Sequence, residues 1–134
     1  MAKLYFKYGA MGSSKTANAL ITKFNYEERG MRVWLIKPSL DDRDGADVVR
    51  SRIGLAEHAY IARPETDLFL EYSKLEGYHA VIADECQFFT AVQVNPYSVY
   101  LLLPVILIKS TALQKRNPLF LQAHIWVKNS TLKL

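Results

Sequence analysis

The stretch YGAMGSSKT, residues 8–16, sets a glycine six positions ahead of a lysine and a threonine directly after that lysine. This spacing suits a loop that cradles phosphate. Successive backbone N–H groups and a helix amino terminus point at one anion, the lysine adds a full charge, and the hydroxyl can ligate magnesium. Gly9, Lys15 and Thr16 hold the defining positions. Such loops usually carry glycine just before the lysine, and here that residue is Ser14. A side chain there can crowd the phosphate or resist a positive φ. Serine is small and Gly12 lies two residues earlier, so the expectation is a weakened loop that still holds a phosphate. The plainer alternative is a turn in which Ser13 or Ser14 caps a helix beginning at Lys15.

A second stretch, VIADECQFF at residues 81–89, places two carboxylates directly after an apolar run. An acid at the tip of a strand is where a nucleotide-hydrolysing or kinase site holds magnesium, a task that fits Asp84. Glu85 is then the candidate general base, taking the proton of a hydroxyl that attacks the γ-phosphorus of a nucleoside triphosphate. The alternative for this pair is a solvated strand end.

The elements that must position these groups follow from the apolar pattern. Residues 3–8, KLYFKY, read as a strand stopped by Gly9. Ala17, Leu20, Ile21 and Phe24 recur on one helical face, and Gly30 ends that helix. Residues 32–37, RVWLIK, form a second strand closed by Pro38, with Trp34 in the core. Residues 39–47 lack an apolar period and read as a surface loop. Residues 59–62 form a brief strand. Leu68, Phe69, Tyr72 and Leu75 mark a second helix entered at Thr66 or Asp67, and Gly77 releases the chain into AVIA at residues 80–83. Alternating strands and helices predict a parallel sheet covered on both faces, with its site at the carboxyl ends of the strands.

Composition narrows the classes. A chain of 134 residues, half of them hydrophobic, suits one compact domain. One cysteine, Cys86, permits neither an internal disulfide nor a multi-cysteine zinc site within the chain. No apolar run reaches membrane-spanning length, so a soluble, cytoplasmic protein is expected, with no membrane partner. Residues 1–85 carry 12 basic and 13 acidic residues, whereas residues 86–134 carry 5 basic and none acidic. Those five are spread through a leucine-rich segment, which argues against a nucleic-acid partner. The apolar residues 101–108 could form a buried strand of the sheet.

With these motifs in hand, the chain resembles the type II thymidine kinases. GAMGSSKT, KPSLDDRDG at 37–45, SRIGL at 51–55 and DECQFF carry the likeness in order, over about residues 3–94. It implies a P-loop NTPase-like α/β fold, incomplete at its carboxyl end, with a kinase domain at 1–94 and an atypical segment at 95–134. The implied activity is ATP-dependent, magnesium-assisted phosphorylation of thymidine or deoxyuridine at the 5′-hydroxyl, a nucleotide-salvage step for DNA synthesis. By that likeness Gly9, Ala10, Met11, Gly12, Ser13, Ser14, Lys15 and Thr16 hold the ATP phosphates. Asp84, Glu85, Cys86 and Gln87 complete the nucleotide site, with Thr16 and Asp84 on the metal and Glu85 as proton acceptor. Met11 and Phe88 match base-pocket positions, and Asp41 and Arg43 match a polar pair near the phosphates. A homo-oligomer such as a tetramer would be family-like.

The family's later motifs, including its four-cysteine zinc lobe and the loop that closes over thymidine, are not visible after Val94. A truncated or frame-shifted carboxyl end and weak or absent activity are therefore expected, with ATP binding without catalysis as the main rival. Cys86 reads as a buried structural thiol. His58, His79 and His124 are too scattered to form a ligand set.

Overall fold

The computed structural model describes residues 4–9, 14–41, 45, 47–90, 93 and 105–110. Strand β1 (Leu4–Gly9) leads to helix α1 (Lys15–Glu27) and strand β2 (Arg32–Pro38). Two short strands, β3 (Val48–Arg50) and β4 (Ala56–His58), pair antiparallel as a separate ribbon. Strand β5 (Tyr60–Ala62), helix α2 (Leu68–Ser73), strand β6 (Tyr78–Ala83), a 3-10 turn (Cys86–Phe88) and strand β7 (Val105–Ser110) follow. The main sheet is parallel, in the order β1-β7-β6-β2-β5.

Because side chains alternate across a strand, β2 and β6 each feed two cores. Trp34, Ile36, Val81 and Ala83 pack on one face with Leu68 of α2 and with Cys86 and Phe89. Val33, Leu35, Ala80 and Ile82 pack on the other with Ala19 and Leu20 of α1 and Val49 of the ribbon. Both faces of the central strands are therefore apolar, which explains the unbroken run AVIA. Trp34 lies in this core as expected, against the rings of Tyr60 and Tyr72 at 5.2 and 5.9 Å.

Several expectations need correction. On α1 the buried residues are Ala17, Ala19 and Leu20, whereas Ile21 and Phe24 are exposed. The small alanines let the helix lie close to the sheet, and the larger groups stay at its margin. Phe69 of α2 is likewise exposed. The surface loop expected over residues 39–47 contains a buried residue, Asp41, and the β3–β4 ribbon beyond it was not foreseen. At the start of α2 it is Asp67 that caps, accepting from the Leu70 N–H at 3.0 Å. The strand expected within 101–108 occurs at Val105–Ser110 and lies between β1 and β6; residues 101–104, His124 and Trp126 lie outside the described residues. Among the described residues no helix is long and apolar enough to cross a membrane.

Candidate active site

Three carboxyl-terminal strand ends converge on the candidate site. β1 ends at Gly9, whose register partner is Ser110 of β7. β6 ends at Ala83, just before Asp84, and the Asp84 N–H extends the ladder by donating to the Ile36 carbonyl of β2 at 3.0 Å. The loop strand and the acidic strand are thus not adjacent, since β7 runs between them.

The gap is bridged by side chains. Thr16, in the first turn of α1, donates its hydroxyl to Asp84 Oδ2 at 3.1 Å, across 68 residues of sequence. Asp84 Oδ1 accepts from the Glu85 N–H at 3.0 Å. The Asp84 side chain is buried, at 4% exposure. Burial first, and then the neighbouring Glu85 charge, push its carboxyl from 3.8 up to about 6, against the two hydrogen bonds; Asp41 adds to the upward push.

Backbone strain collects at the same place. Among the described residues, Ser14 at φ 57° and Glu85 at φ 49° are the non-glycine residues in the left-handed region. Each costs about 1–3 kcal/mol and persists only where its surroundings hold it. For Ser14 this is the conformation that glycine would adopt more readily. Ser14 occupies the position before α1, yet its side chain makes no capping hydrogen bond, so the plain helix-cap account fails for this residue. Its carbonyl accepts the first helical bond, from Asn18 N–H at 2.9 Å. Glu85 is buried, and its turn is closed by the Phe88 N–H donating to the Glu85 carbonyl at 3.1 Å.

The remaining predicted residues are placed as follows. Lys15 opens α1 beside Thr16. Cys86 is fully buried in the α2-side core. Gln87 and Phe88 lie in the 3-10 turn, and Phe88 is 37% exposed, an aromatic face reachable by a ligand. Asp41 is buried after β2, so it is no solvated loop charge. Ala10, Met11, Gly12, Ser13 and Arg43 lie outside the described residues. His58 pairs with Asp47, and His79, near the start of β6, accepts from the N–H of Arg32 at the start of β2, at the strand ends opposite to Asp84.

Two polar residues were missed. Lys37, read only as the end of a strand, is interior, and Gln93 is buried where it joins the turn after Phe89 to the segment before α2. Gln93 donates to the carbonyls of Arg63 and Thr66 while its side-chain oxygen accepts from the Thr90 N–H. A lysine closing an apolar strand was the available signal for the first; nothing local marked the second.

An oxygen-rich pair of hydroxyl and carboxylate, tied to a helix amino terminus and next to a second carboxylate, can bind an anion with a hard cation and accept a proton. Comparison with known proteins identifies the family. The family model for thymidine kinase matches residues 2–110, reaching past residue 94 through β7. The thymidine kinase of Vibrio parahaemolyticus is 44% identical over 97 residues, covering 70% of this chain and 50% of the relative. That of Shigella dysenteriae is 43% identical over 101 residues, covering 73% of this chain and 49% of the relative. That of Haemophilus influenzae is 42% identical over 101 residues, with 73% and 52% covered. The chain spans about half the length of the curated relatives it matches. Taken with the Thr16–Asp84 contact across a parallel sheet, these matches show that the chain belongs to the thymidine kinase family.

Proposed function

We propose that this fold carries the phosphate site of a kinase that transfers the γ-phosphoryl group of ATP to the 5′-hydroxyl of thymidine or deoxyuridine. The observation that carries the reading is the hydrogen bond from Thr16 to Asp84, which joins the loop-bearing helix to the acidic strand tip. The amino terminus of α1 and Lys15 would face the β- and γ-phosphates, where charge spreads over the oxygens as transfer proceeds. The 5′-oxygen forms a bond to phosphorus as the bond from phosphorus to the β–γ bridging oxygen breaks. ADP leaves, and the hydroxyl proton passes to the Glu85 carboxylate.

A magnesium ion fits the residues present. Thr16 and Asp84 offer hard oxygen donors, and the Asp84 carboxylate is buried without enough compensation to keep its ordinary acidity. Thr16 and Asp84 would hold the ion, which supplies charge neutralisation for the phosphates. Phe88 would stack on the pyrimidine.

The test has two arms. Calorimetric titration of the chain with ATP and magnesium should show binding, and transfer of labelled γ-phosphate should favour thymidine over ribonucleosides. Transfer to some other nucleoside in preference to both thymidine and deoxyuridine would overturn the substrate assignment. Absence of nucleotide binding by the folded chain would overturn the site itself.

A further inference from the structure

Gln93 is 5% exposed, and both ends of its side-chain amide are engaged. Its Nε2 donates to the Arg63 carbonyl and, at 3.3 Å, to the Thr66 carbonyl. Its Oε1 accepts from the Thr90 N–H at 2.9 Å, and in return the Gln93 N–H donates to Thr90 Oγ1 at 3.3 Å. Two amide hydrogens and one carbonyl oxygen are what a glutamine has to offer, and all of them are used. Arg63 directly follows β5, in a turn closed by the Thr66 N–H donating to the Arg63 carbonyl at 2.9 Å. Thr90 stands two residues after Phe88, beyond the 3-10 turn that follows β6. Since β2 lies between β6 and β5, this one side chain ties the chain leaving β6 to the chain leaving β5, across the end of β2.

Apolar packing does not supply the same restraint. Cys86 and Phe89 belong to the α2-side core, whereas Phe88, between them, is exposed and outside both cores. The place of its ring therefore follows from the backbone that carries it. On one side that backbone is held by the Phe88 N–H donating to the Glu85 carbonyl at 3.1 Å. On the other, beyond Phe89, it is held by the Thr90 N–H that Gln93 engages. A buried polar group with every partner matched makes rigid what it joins.

We propose that Gln93 is a positioning residue for the nucleoside: by tying Thr90 to the Arg63–Thr66 turn it holds the Phe88 ring where it stacks on the pyrimidine. The inference rests on the reading of Phe88 given above, and it assigns Gln93 no contact with nucleoside or phosphate. Without the tie the turn populates other positions, and the apparent affinity for the nucleoside falls with the fraction of chains that keep the ring in place. The phosphate side is spared, because Lys15 and Thr16 belong to α1 and the bond from Thr16 to Asp84 does not pass through this tie.

The experiment titrates the full chain calorimetrically with thymidine and, separately, with ATP and magnesium. Gln93→Met keeps the length of the side chain and drops its hydrogen bonds; Gln93→Asn keeps the amide but is one methylene too short to span both turns. Each should weaken thymidine binding by about 2- to 10-fold, the scale of one net hydrogen bond, and leave the affinity for ATP with magnesium as in the parent. Phe88→Ala should also weaken thymidine binding, and adding Gln93→Met to it should bring no further loss, because both act through one ring. A glutamine that only braces the fold would leave thymidine affinity intact in the folded variants or lower both affinities together, and either result would overturn the proposal. Losses that multiply in the double variant would overturn it as well. If Gln93→Met does not fold, Gln93→Asn decides. A folded parent that binds no thymidine, or a Phe88→Ala chain that binds it as the parent does, refutes the reading of Phe88 first and this inference with it. A sensitive Phe88→Ala chain beside indifferent Gln93 variants refutes the inference alone.

Discussion

Asp84 should make the ligand-free protein less stable than it could be, and Asp84→Asn should show by how much. The folded-state value is raised, from 3.8 to about 6, so the folded protein holds the proton more tightly than the unfolded chain. Stability from this group is therefore fully present below about pH 4 and is lost as pH rises towards 6 and beyond. With 1.36 kcal/mol per pKa unit, the ionised carboxylate costs the fold about 3 kcal/mol at pH 7.5 and about 1.5 kcal/mol at pH 5. Asparagine resembles the protonated acid. Its carbonyl oxygen can still accept from the Glu85 N–H, and Thr16 can turn its hydroxyl to accept from the new amide. Denaturant titration in the presence of a chelator should thus find Asp84→Asn more stable than the parent by about 1–3 kcal/mol at pH 7.5, with the gain roughly halved at pH 5. Magnesium should stabilise the parent and leave the variant unchanged. A variant that is less stable at pH 7.5, or a gain that does not shrink with acid, would refute the view that the carboxylate is held ionised against its burial.

Other expectations concern the loop. Lys15→Ala should weaken binding of ATP by about 10- to 100-fold, the range for a hydrogen bond to a charged group, and calorimetry at fixed magnesium checks it. An unchanged affinity would dissolve the loop assignment. Ser14→Gly should stabilise the fold by about 0.5–1 kcal/mol, because relief of the left-handed φ outweighs the greater freedom of glycine when unfolded. Thermal unfolding reads the gain, and nucleotide affinity should be equal or better. A clear loss of affinity would give the serine hydroxyl a role of its own.

What the sequence made legible was local. Gly9 after an aromatic strand, Lys15 and Thr16 at a helix start, and Asp84 and Glu85 after AVIA each announce themselves within a few residues, and those elements form where expected. What stayed hidden depends on partners far along the chain. No local pattern states that β7 enters between β1 and β6, because a parallel strand carries no mark of its neighbours. The β3–β4 ribbon has strands of three residues, too short for an alternation to register. The helical period of α1 identified a face but not its centre, which lies on Ala19 and Leu20 and leaves Phe24 outside. Lys37 escaped notice because hydropathy counts lysine as polar, whereas its burial comes from two carbonyls and a carboxylate that only the fold assembles.

The costs at this site share one location, and that coincidence argues for binding more strongly than any single motif. Ser14 and Glu85 hold left-handed backbone at about 1–3 kcal/mol each, and Asp84 holds a charge away from water at a cost of similar size. The packing of β6 itself, Ala80 and Ile82 against α1 and Val81 and Ala83 against Leu68, is complete before residue 84, and Cys86 and Phe89 rejoin the α2-side core beyond the Glu85 turn. A chain under selection for stability alone could relieve the strain with glycine at 14 and the charge with asparagine at 84. Keeping a buried carboxylate against a threonine hydroxyl at a helix amino terminus makes sense where a cation and an anionic ligand bind together, since the cation meets the carboxylate and the anion meets the helix amino terminus.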